Sequence, residues 1–220
     1  MIEKVSTSEI REITAATVKG MSGHDRDEMA IPSYLHANPL IRWLMWHRYE
    51  TITGFLGDTP GQTALEFGCG MGLFLPELSR RFARVFAVDL FPDYAKALDT
   101  RRRLGTDFVS AIDEIPETSV DVIVAADVLE HVEDLPAYLA EFSAKLKAGG
   151  RLLVSGPTEN LIYKLGRLCA GFGDKGDYHH TNIDRLIDDI TAHGFQQTRF
   201  ARLPFAVPPT LFKVCEFTKS

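Results

Sequence analysis

Cysteine, positive charge and long apolar runs are scarce in this sequence, and each scarcity excludes a class of protein. Cys69, Cys169 and Cys215 lie far apart and form no CxxC pair, so neither a disulfide framework nor a structural zinc site is expected. The 24 lysines and arginines are outnumbered by 30 acidic residues, and the net charge of -6 disfavours nucleic acid as a partner. No apolar run approaches the length of a membrane span, and the amino terminus lacks a signal-peptide pattern. We therefore expect a cytoplasmic protein without stable membrane insertion.

Helical patterns occupy the first quarter of the chain. Ser6 and Glu9 match a capping box before Ile10 and Ile13, and Asn38 precedes a proline as the N-cap of a longer helix does. These patterns predict a helical cap or lid over residues 1–57. Residues 58–220 are then the core of what is overall a single compact domain, a size at which one hydrophobic core suffices.

Short β-rich runs alternate with helical patterns from residue 63 onwards. This alternation predicts an α/β fold with a parallel sheet covered by helices on both faces. Two final runs joined by a short Pro-containing connection predict an antiparallel pair at the end of the chain. The runs in question are TALEF, RVFAVD, DFVSAI, SVDVIVAA and GRLLVSG, followed by FQQTRFARL and LFKVCEFTK.

Three glycines stand at alternate positions where the first strand run stops. Gly68, Gly70 and Gly72 permit backbone conformations and a close ligand approach that a Cβ obstructs, so this loop predicts a site for a nucleoside-containing ligand. The spacing is GxGxG, whereas the dinucleotide fingerprint GxGxxG needs a glycine in place of Leu73. Asp89 ends the second strand run, where a carboxylate can accept hydrogen bonds from both ribose hydroxyls.

These segments resemble the motifs of the class I S-adenosylmethionine-dependent methyltransferases. LEFGCGMG is similar to their first motif, VFAVD to the second, SVDVIVAADVLEHVED to the strand-four segment, and LKAGGRLLVSGP to the turn into strand five. The resemblance implies a Rossmann-like fold with a seven-stranded, mostly parallel sheet and an antiparallel last strand. It also implies the cofactor S-adenosyl-L-methionine and the product S-adenosyl-L-homocysteine.

The same resemblance assigns the cofactor-binding residues. Asp89 is expected to hold the ribose, and Leu90 belongs to the same set. At the adenine edge Ala111 stands where many family members carry an acid, so either Asp113 or the backbone of Ile112 takes that role. The residues expected around the methionine part of the cofactor are Glu66, Gly68, Cys69, Gly70 and Gly72.

A closer resemblance is to the O-methyltransferases of ubiquinone biosynthesis. LHANPLIR is similar to their segment before the first strand, which implies that Arg42 pairs with the cofactor carboxylate, although the spacing is displaced by one residue on each side of Asn-Pro-Leu. DVLEH is similar to their acid-x-x-Glu-His segment, which implies a divalent ion at Asp127, Glu130 and His131. Because such a trio is common by chance, we predict no metal.

Methyl transfer is an in-line displacement, so the protein must chiefly align the acceptor, the methyl group and the leaving sulfur. A hydroxyl acceptor also loses a proton, which makes a positioned histidine or carboxylate useful. His131 and Asp127, at the carboxyl end of strand four, are therefore the predicted catalytic residues. The alternative is that Glu130 and His131 only cap the next helix or bond to nearby loops.

The acceptor is expected to be a small molecule, most simply a hydroxylated aromatic or lipid-like metabolite. Aromatic residues of the cap and of the 157–180 segment either line its pocket or serve ordinary packing: Tyr34, Trp43, Trp46 and Tyr163. His179 and His180 are expected to make lid contacts. Two rival functions remain, a cofactor-binding protein without turnover and an NAD-dependent oxidoreductase, and the oligomeric state is not predicted.

Overall fold

The computed structural model describes residues 2–17, 31–163 and 181–219. Seven strands and seven α-helices alternate along most of this length. The helices are α1 (Thr7–Thr17), α2 (Ile31–Tyr34), α3 (Pro39–Leu56), α4 (Leu75–Arg81), α5 (Asp93–Arg102), α6 (Leu135–Lys145) and α7 (Ile183–Ala192). The strands are β1 (Thr63–Phe67), β2 (Arg84–Val88), β3 (Asp107–Val109), β4 (Val120–Ala126), β5 (Leu146–Pro157), β6 (Phe195–Leu203) and β7 (Phe212–Lys219).

The strands form one seven-stranded sheet in the order β3-β2-β1-β4-β5-β7-β6. The β1–β2, β2–β3 and β4–β5 pairs are parallel, whereas β7 is antiparallel to both β5 and β6. The predicted fold class, a mostly parallel sheet with an antiparallel last strand, is therefore confirmed. The parallel strands are nearly continuous apolar runs, and the centre of β4 is fully buried, as expected when helices cover a sheet.

Proline and capping residues determine where the helices begin. Asn38 accepts a hydrogen bond from Leu40 N–H at 2.9 Å, which confirms it as the N-cap of α3. At the start of α1, Ser6 Oγ accepts a hydrogen bond from Glu9 N–H at 3.2 Å. Helices α4 and α6 begin at Leu75 and Leu135, with Pro76 and Pro136 in their first turns.

The described residues divide into two compact units, one ending at Ala111 and the other beginning at Ile112. In the first unit α4 packs on β2, and α1 packs on α5. In the second unit α6 and α7 both pack on β5. The predicted boundary between a helical cap and the core, at residue 57, stays a prediction. Among the helices of the described segments, none has both the length and the apolar character that crossing a bilayer requires.

Candidate active site

The glycine loop of the first unit closes between the carboxyl ends of β1 and β2. The N–H groups of Gly68 and Cys69 both donate to the Val88 carbonyl, at 2.9 and 3.3 Å. Gly72 N–H then donates to the Cys69 carbonyl at 2.7 Å, which makes a tight turn before α4. The φ angles of Gly68, Gly70 and Gly72 are 71°, 52° and 70°, in the left-handed region where a side chain is strained.

Gly70 and Gly72 serve different purposes in this loop. A Cβ on Gly72 would lie 2.9 Å from Cα and Cβ of Ala95 and equally close to Leu75 Cδ1, so this glycine permits the loop to pack on α5. A Cβ on Gly70 would meet no atom of the described chain within 4 Å. The space beside Gly70 is therefore open to a ligand, whereas Gly72 is required by internal packing that the sequence pattern did not reveal.

Asp89, directly after β2, is joined to the glycine loop. Its Oδ2 accepts a hydrogen bond from Gly70 N–H at 2.7 Å, and its Oδ1 accepts from Phe91 N–H at 2.8 Å. Each carboxylate oxygen has a second lone pair, so the group can still accept bonds from ligand hydroxyls. Leu90, the next residue, is 90% exposed and offers an apolar surface beside that carboxylate.

Glu66 is a buried acid near the end of β1. Only 2% of the residue is exposed, and its Oε2 has no hydrogen-bond partner among the described residues. Burial, and secondly the negative charge of Asp89, raises the pKa of Glu66 well above its usual range. Burial likewise raises the pKa of the Cys69 thiol, with the charges of Glu66 and Asp89 adding to the effect. Cys69 is therefore held as a neutral thiol and is unsuited to act as a nucleophile.

Tyr34 and Tyr49, two tyrosines of the N-terminal helices, interact electrostatically with Glu66, and Tyr49 was not among the residues predicted from the sequence. The ring of Tyr49 stacks on Phe74 with centroids 4.7 Å apart, and the buried Arg48 donates to the Tyr34 hydroxyl at 3.4 Å. Burial raises the pKa of both Tyr34 and Tyr49, and the negative charge of Glu66 contributes to each shift. The helical spacing of these aromatics was a visible signal, but it did not distinguish packing from proximity to a site.

Arg42 is held at the start of α3. Its Nη1 donates to the carbonyl of Ala37 at 3.0 Å and also to the carbonyl of His36. A role for Arg42 toward the cofactor carboxylate stays a prediction.

The aromatic residues predicted in the cap differ in their surroundings. Tyr34 and Trp46 pack edge to face, with ring centroids 5.5 Å apart. Trp43 is 40% exposed and stacks on His47.

The second unit carries the remaining predicted residues. Ile112 and Asp113 lie in a 3₁₀ turn (Ile112–Glu114), where Ile112 is buried and Asp113 is exposed. Tyr163 packs edge to face on Phe212 at 5.4 Å between ring centroids. His179 and His180, expected in a lid, lie outside the described residues.

Asp127 and His131 both lie in the short segment that follows the carboxyl end of β4. Asp127 directly follows the strand with φ 53°, and a 3₁₀ turn (Leu129–His131) follows it. Ser155 of β5 donates through Oγ to Asp127 Oδ1 at 3.0 Å. Glu130 is buried and His131 is half-buried. Within the parts of the chain that the structure describes, no three His, Cys, Asp or Glu side chains converge as a metal-binding group.

Two curated proteins are similar in sequence to about half of this chain. The ubiquinone biosynthesis O-methyltransferase of Rhodopseudomonas palustris (strain BisB5) is 32% identical over 127 residues, which cover 54% of this chain and 50% of that protein. The malonyl-[acyl-carrier protein] O-methyltransferase of Serratia marcescens is 29% identical over 119 residues, covering 53% and 47%. The matched segments thus span about half the length of these curated relatives.

Structural similarity extends over nearly the whole chain. The crystal structure of magnesium protoporphyrin IX methyltransferase from Synechocystis PCC 6803, with bound S-adenosylhomocysteine, has a TM-score of 0.66 at 18% identity. The structural alignment covers 98% of this chain and 100% of the Synechocystis protein, so the two proteins share a fold. A family model described as a methyltransferase domain matches residues 41–217. The resemblance inferred from the sequence motifs is thereby confirmed, and the chain belongs to the methyltransferase-domain family.

Proposed function

We propose that this protein transfers a methyl group from S-adenosyl-L-methionine to a hydroxyl group of a small molecule that has an apolar part. The observation that carries the cofactor assignment is the carboxylate of Asp89, bonded to Gly70 N–H at the mouth of the glycine loop with Leu90 exposed beside it. This arrangement provides hydrogen-bond acceptors for a ribose and an apolar surface for a base.

The residues present fit S-adenosyl-L-methionine in their chemistry. Glu66 has a buried carboxylate oxygen without a partner in the described chain, and the ammonium of the methionine part would satisfy it. Gly70 leaves open space where the ligand must approach the backbone. When bound, the cofactor supplies an electrophilic methyl group on a sulfonium. The protein's own task is to hold the acceptor in line with that methyl group and to exclude water.

The apolar part of the acceptor is inferred from one edge of the second unit. Pro157 of β5, Phe212 of β7 and Leu203 of β6 lie in one row of the sheet, so the β6–β7 connection lies at the carboxyl end of β5. Parallel sheets of this kind bind ligands at that edge. The connection carries Phe205 and Val207, which are 60% and 65% exposed.

The segment after β5 adds apolar surface to this edge. Leu161 and Ile162 are exposed, and Asn160 Nδ2 donates to the Thr210 carbonyl at 2.7 Å. Thr158 Oγ1 donates to the same carbonyl at 2.9 Å, so the segment and the β6–β7 connection are tied together. Exposed apolar side chains that are clustered and rimmed by polar groups indicate a binding surface.

Oxygen is the proposed acceptor atom for two reasons. Both sequence relatives described above are named as O-methyltransferases. Asp127 and His131 stand at the end of β4, where either group can take a hydroxyl proton as the oxygen is methylated. In the proposed reaction the oxygen lone pair forms the new bond to the methyl carbon, and the bond between that carbon and sulfur breaks. The product S-adenosyl-L-homocysteine then leaves.

Calorimetric titration tests the cofactor assignment directly. S-adenosylmethionine and S-adenosylhomocysteine should bind saturably while NAD should not. Asp89→Ala should weaken this binding by about tenfold or more, because it removes the ribose acceptor and the anchor of Gly70. Glu117→Ala, a change at an exposed residue, is the matched control and should bind normally. Preference for NAD would overturn the assignment, and unchanged affinity of Asp89→Ala would remove Asp89 from the site.

Gallate and its octyl ester test the acceptor class. Both have the same phenolic hydroxyls, but only the ester has an apolar chain. Mass spectrometry of the products should show methylated octyl gallate, with a higher kcat/KM than for gallate. Phe205→Ser should reduce this preference. Binding of the cofactor without methylation of either compound would favour a binding protein or another acceptor, and equal rates for both would overturn the apolar part of the proposal.

A further inference from the structure

Ser155 is a polar residue in the buried interior of β5, and the function proposed above gives it no role. It stands between Val154 and Gly156, and its side chain is fully buried. A buried hydroxyl that lacks a partner costs free energy, so its hydrogen bond indicates what the residue does. Its partner in this structure is Asp127, one of the two predicted catalytic residues.

Two hydrogen bonds join these residues at the end of β4. Asp127 N–H donates to the Ser155 carbonyl at 3.0 Å, which continues the pairing of β4 with β5 past Ala126. Ser155 Oγ donates to Asp127 Oδ1, also at 3.0 Å. One residue therefore holds both the backbone and the carboxyl group of Asp127.

The backbone of Asp127 requires such support. Its φ of 53° lies in the left-handed region, which aspartate tolerates better than most residues but at a cost. This conformation turns the chain out of β4 and into the 3₁₀ turn that carries His131. Uncommon backbone conformations persist where surrounding contacts hold them, and they concentrate at functional sites.

We propose that Ser155 is a positioning residue for Asp127. By donating to Oδ1 it fixes the plane of the carboxylate at the strand exit, so that Asp127 can orient the acceptor hydroxyl by accepting its hydrogen bond. The proposal rests on the methyltransferase function proposed above. It adds a residue that touches neither the cofactor nor the acceptor and acts only through Asp127.

Three variants test the hydroxyl of Ser155. Ser155→Ala removes the donor, and Ser155→Thr retains it on a side chain suited to a strand. Ser79→Ala is the matched control, because the Ser79 hydroxyl is also buried but has no hydrogen-bond partner in the described chain. With octyl gallate as acceptor, Ser155→Ala should lower kcat on the order of ten- to a hundredfold, while KM for the cofactor and the affinity for S-adenosylhomocysteine stay unchanged. Ser155→Thr should recover most of kcat, and Ser79→Ala should behave as wild type.

A double-mutant cycle separates positioning from a general structural effect. In an Asp127→Ala background the hydroxyl has no carboxylate to hold, so Ser155→Ala should cause no further loss of kcat. An equal loss in both backgrounds would overturn the proposal, as would wild-type kcat in Ser155→Ala itself.

Amide hydrogen exchange decides the case in which wild type does not methylate octyl gallate. Faster exchange over residues 127–131 in Ser155→Ala than in Ser79→Ala would support the positioning role, and identical exchange would overturn it. Calorimetry with S-adenosylhomocysteine reports separately on the proposed function. Absence of binding by the wild type would reject that function, whatever the exchange rates show.

Discussion

Two carboxyl groups beside the glycine loop differ in their surroundings, and the difference indicates their roles. Asp89 is half-buried and already accepts hydrogen bonds from two backbone N–H groups, so it is a preformed acceptor. Glu66 is buried, its Oε2 lacks a partner within the described residues, and its pKa is raised. A cationic ligand group would provide Glu66 with the partner that the described residues do not.

Cofactor binding should therefore depend on pH through Glu66. At low pH the ligand ammonium must displace the Glu66 proton, so affinity for S-adenosylhomocysteine should rise as pH rises toward the raised pKa of Glu66. Glu66→Gln should lose this dependence and bind about 10- to 100-fold more weakly above that pKa, since a charge-assisted hydrogen bond is removed. Calorimetric titrations across a pH series, with Glu117→Gln as the control, measure both effects. A pH dependence that persists unchanged in Glu66→Gln would assign the proton to another group.

The stability of the free protein should change with pH in the opposite sense. A carboxyl group whose folded pKa is raised contributes stability that is fully present below its unfolded pKa, near 4.5, and lost as pH rises through the folded value. The free energy of unfolding of wild type should thus fall relative to Glu66→Gln over that window. Urea denaturation at several pH values, without ligand, measures the difference. Parallel curves for the two proteins would mean that Glu66 carries no such shift.

At the scale of elements, the glycine loop depends on the helices that surround it. Gly72 packs against α5, while Phe74, immediately before α4, is covered by the ring of Tyr49 from α3. The loop is therefore held from two sides inside the first unit. Substitutions on either helix should lower the affinity for the cofactor. The reason is that Gly70, which the ligand is proposed to approach, belongs to the same short segment as Gly72 and Phe74.

Alanine at the loop glycines should separate packing from ligand approach. Gly72→Ala should destabilise the protein by about 2 to 4 kcal/mol, because overpacking adds to the strain of a positive φ. Gly70→Ala should cost only about 1 kcal/mol of stability, from φ strain alone, but should weaken S-adenosylhomocysteine binding. Gly61→Ala, also at positive φ with open space in the described structure, is the control and should leave binding unchanged. Equal destabilisation by all three changes would contradict the packing role of Gly72.

Removing the Tyr49 ring should weaken both the fold and the site. Tyr49→Ala should cost about 2 kcal/mol of stability, as expected for deleting a large, half-buried ring, and should reduce affinity for S-adenosylhomocysteine. Tyr49→Phe retains the stack on Phe74 and should be close to wild type in stability. Urea denaturation and calorimetry on both variants provide the comparison. If Tyr49→Ala lost stability but bound the cofactor normally, α3 would support the fold alone.

At the scale of the whole molecule, ion pairs attach the N-terminal residues to helix α5. Three arginines are consecutive at positions 101–103. Arg101 pairs with Glu9 and Glu12, and Arg102 pairs with Glu3 and Glu9. These ion pairs join α1 and the residues before it to α5. Two of these three arginines are thus engaged in ion pairs, and the absence of a nucleic-acid partner stays a prediction.

The attachment of α1 should be sensitive to salt. Arg102→Gln should lower the free energy of unfolding by about 1 kcal/mol in dilute buffer, because its two partly buried pairs are lost. The loss should shrink in 1 M salt, where exposed charges are screened. Arg84→Gln breaks a more exposed pair with Asp107 and should have almost no effect. A loss for Arg102→Gln that is equal at both salt concentrations would indicate packing of its aliphatic stem instead.

The sequence by itself determined the fold class and the main features of the glycine loop. Continuous apolar strands, alternating with helices that begin at recognisable caps such as Asn38, leave few arrangements other than a covered parallel sheet. Glycines at alternate positions followed by a strand ending in Asp89 predict a loop and an acid at the same edge, because parallel strands share their carboxyl ends. Such signals are local, so they can be read without knowledge of distant contacts.

Tertiary structure alone decided which residues act together. Three contacts join residues that are far apart in the chain. Gly72 packs on Ala95, Tyr49 covers Phe74, and Ser155 donates a hydrogen bond to Asp127. An aromatic at helical spacing, or a serine in a strand, has the same local pattern whether it packs, binds or positions. Its role depends on burial and on its partner, and both arise only when the chain has folded.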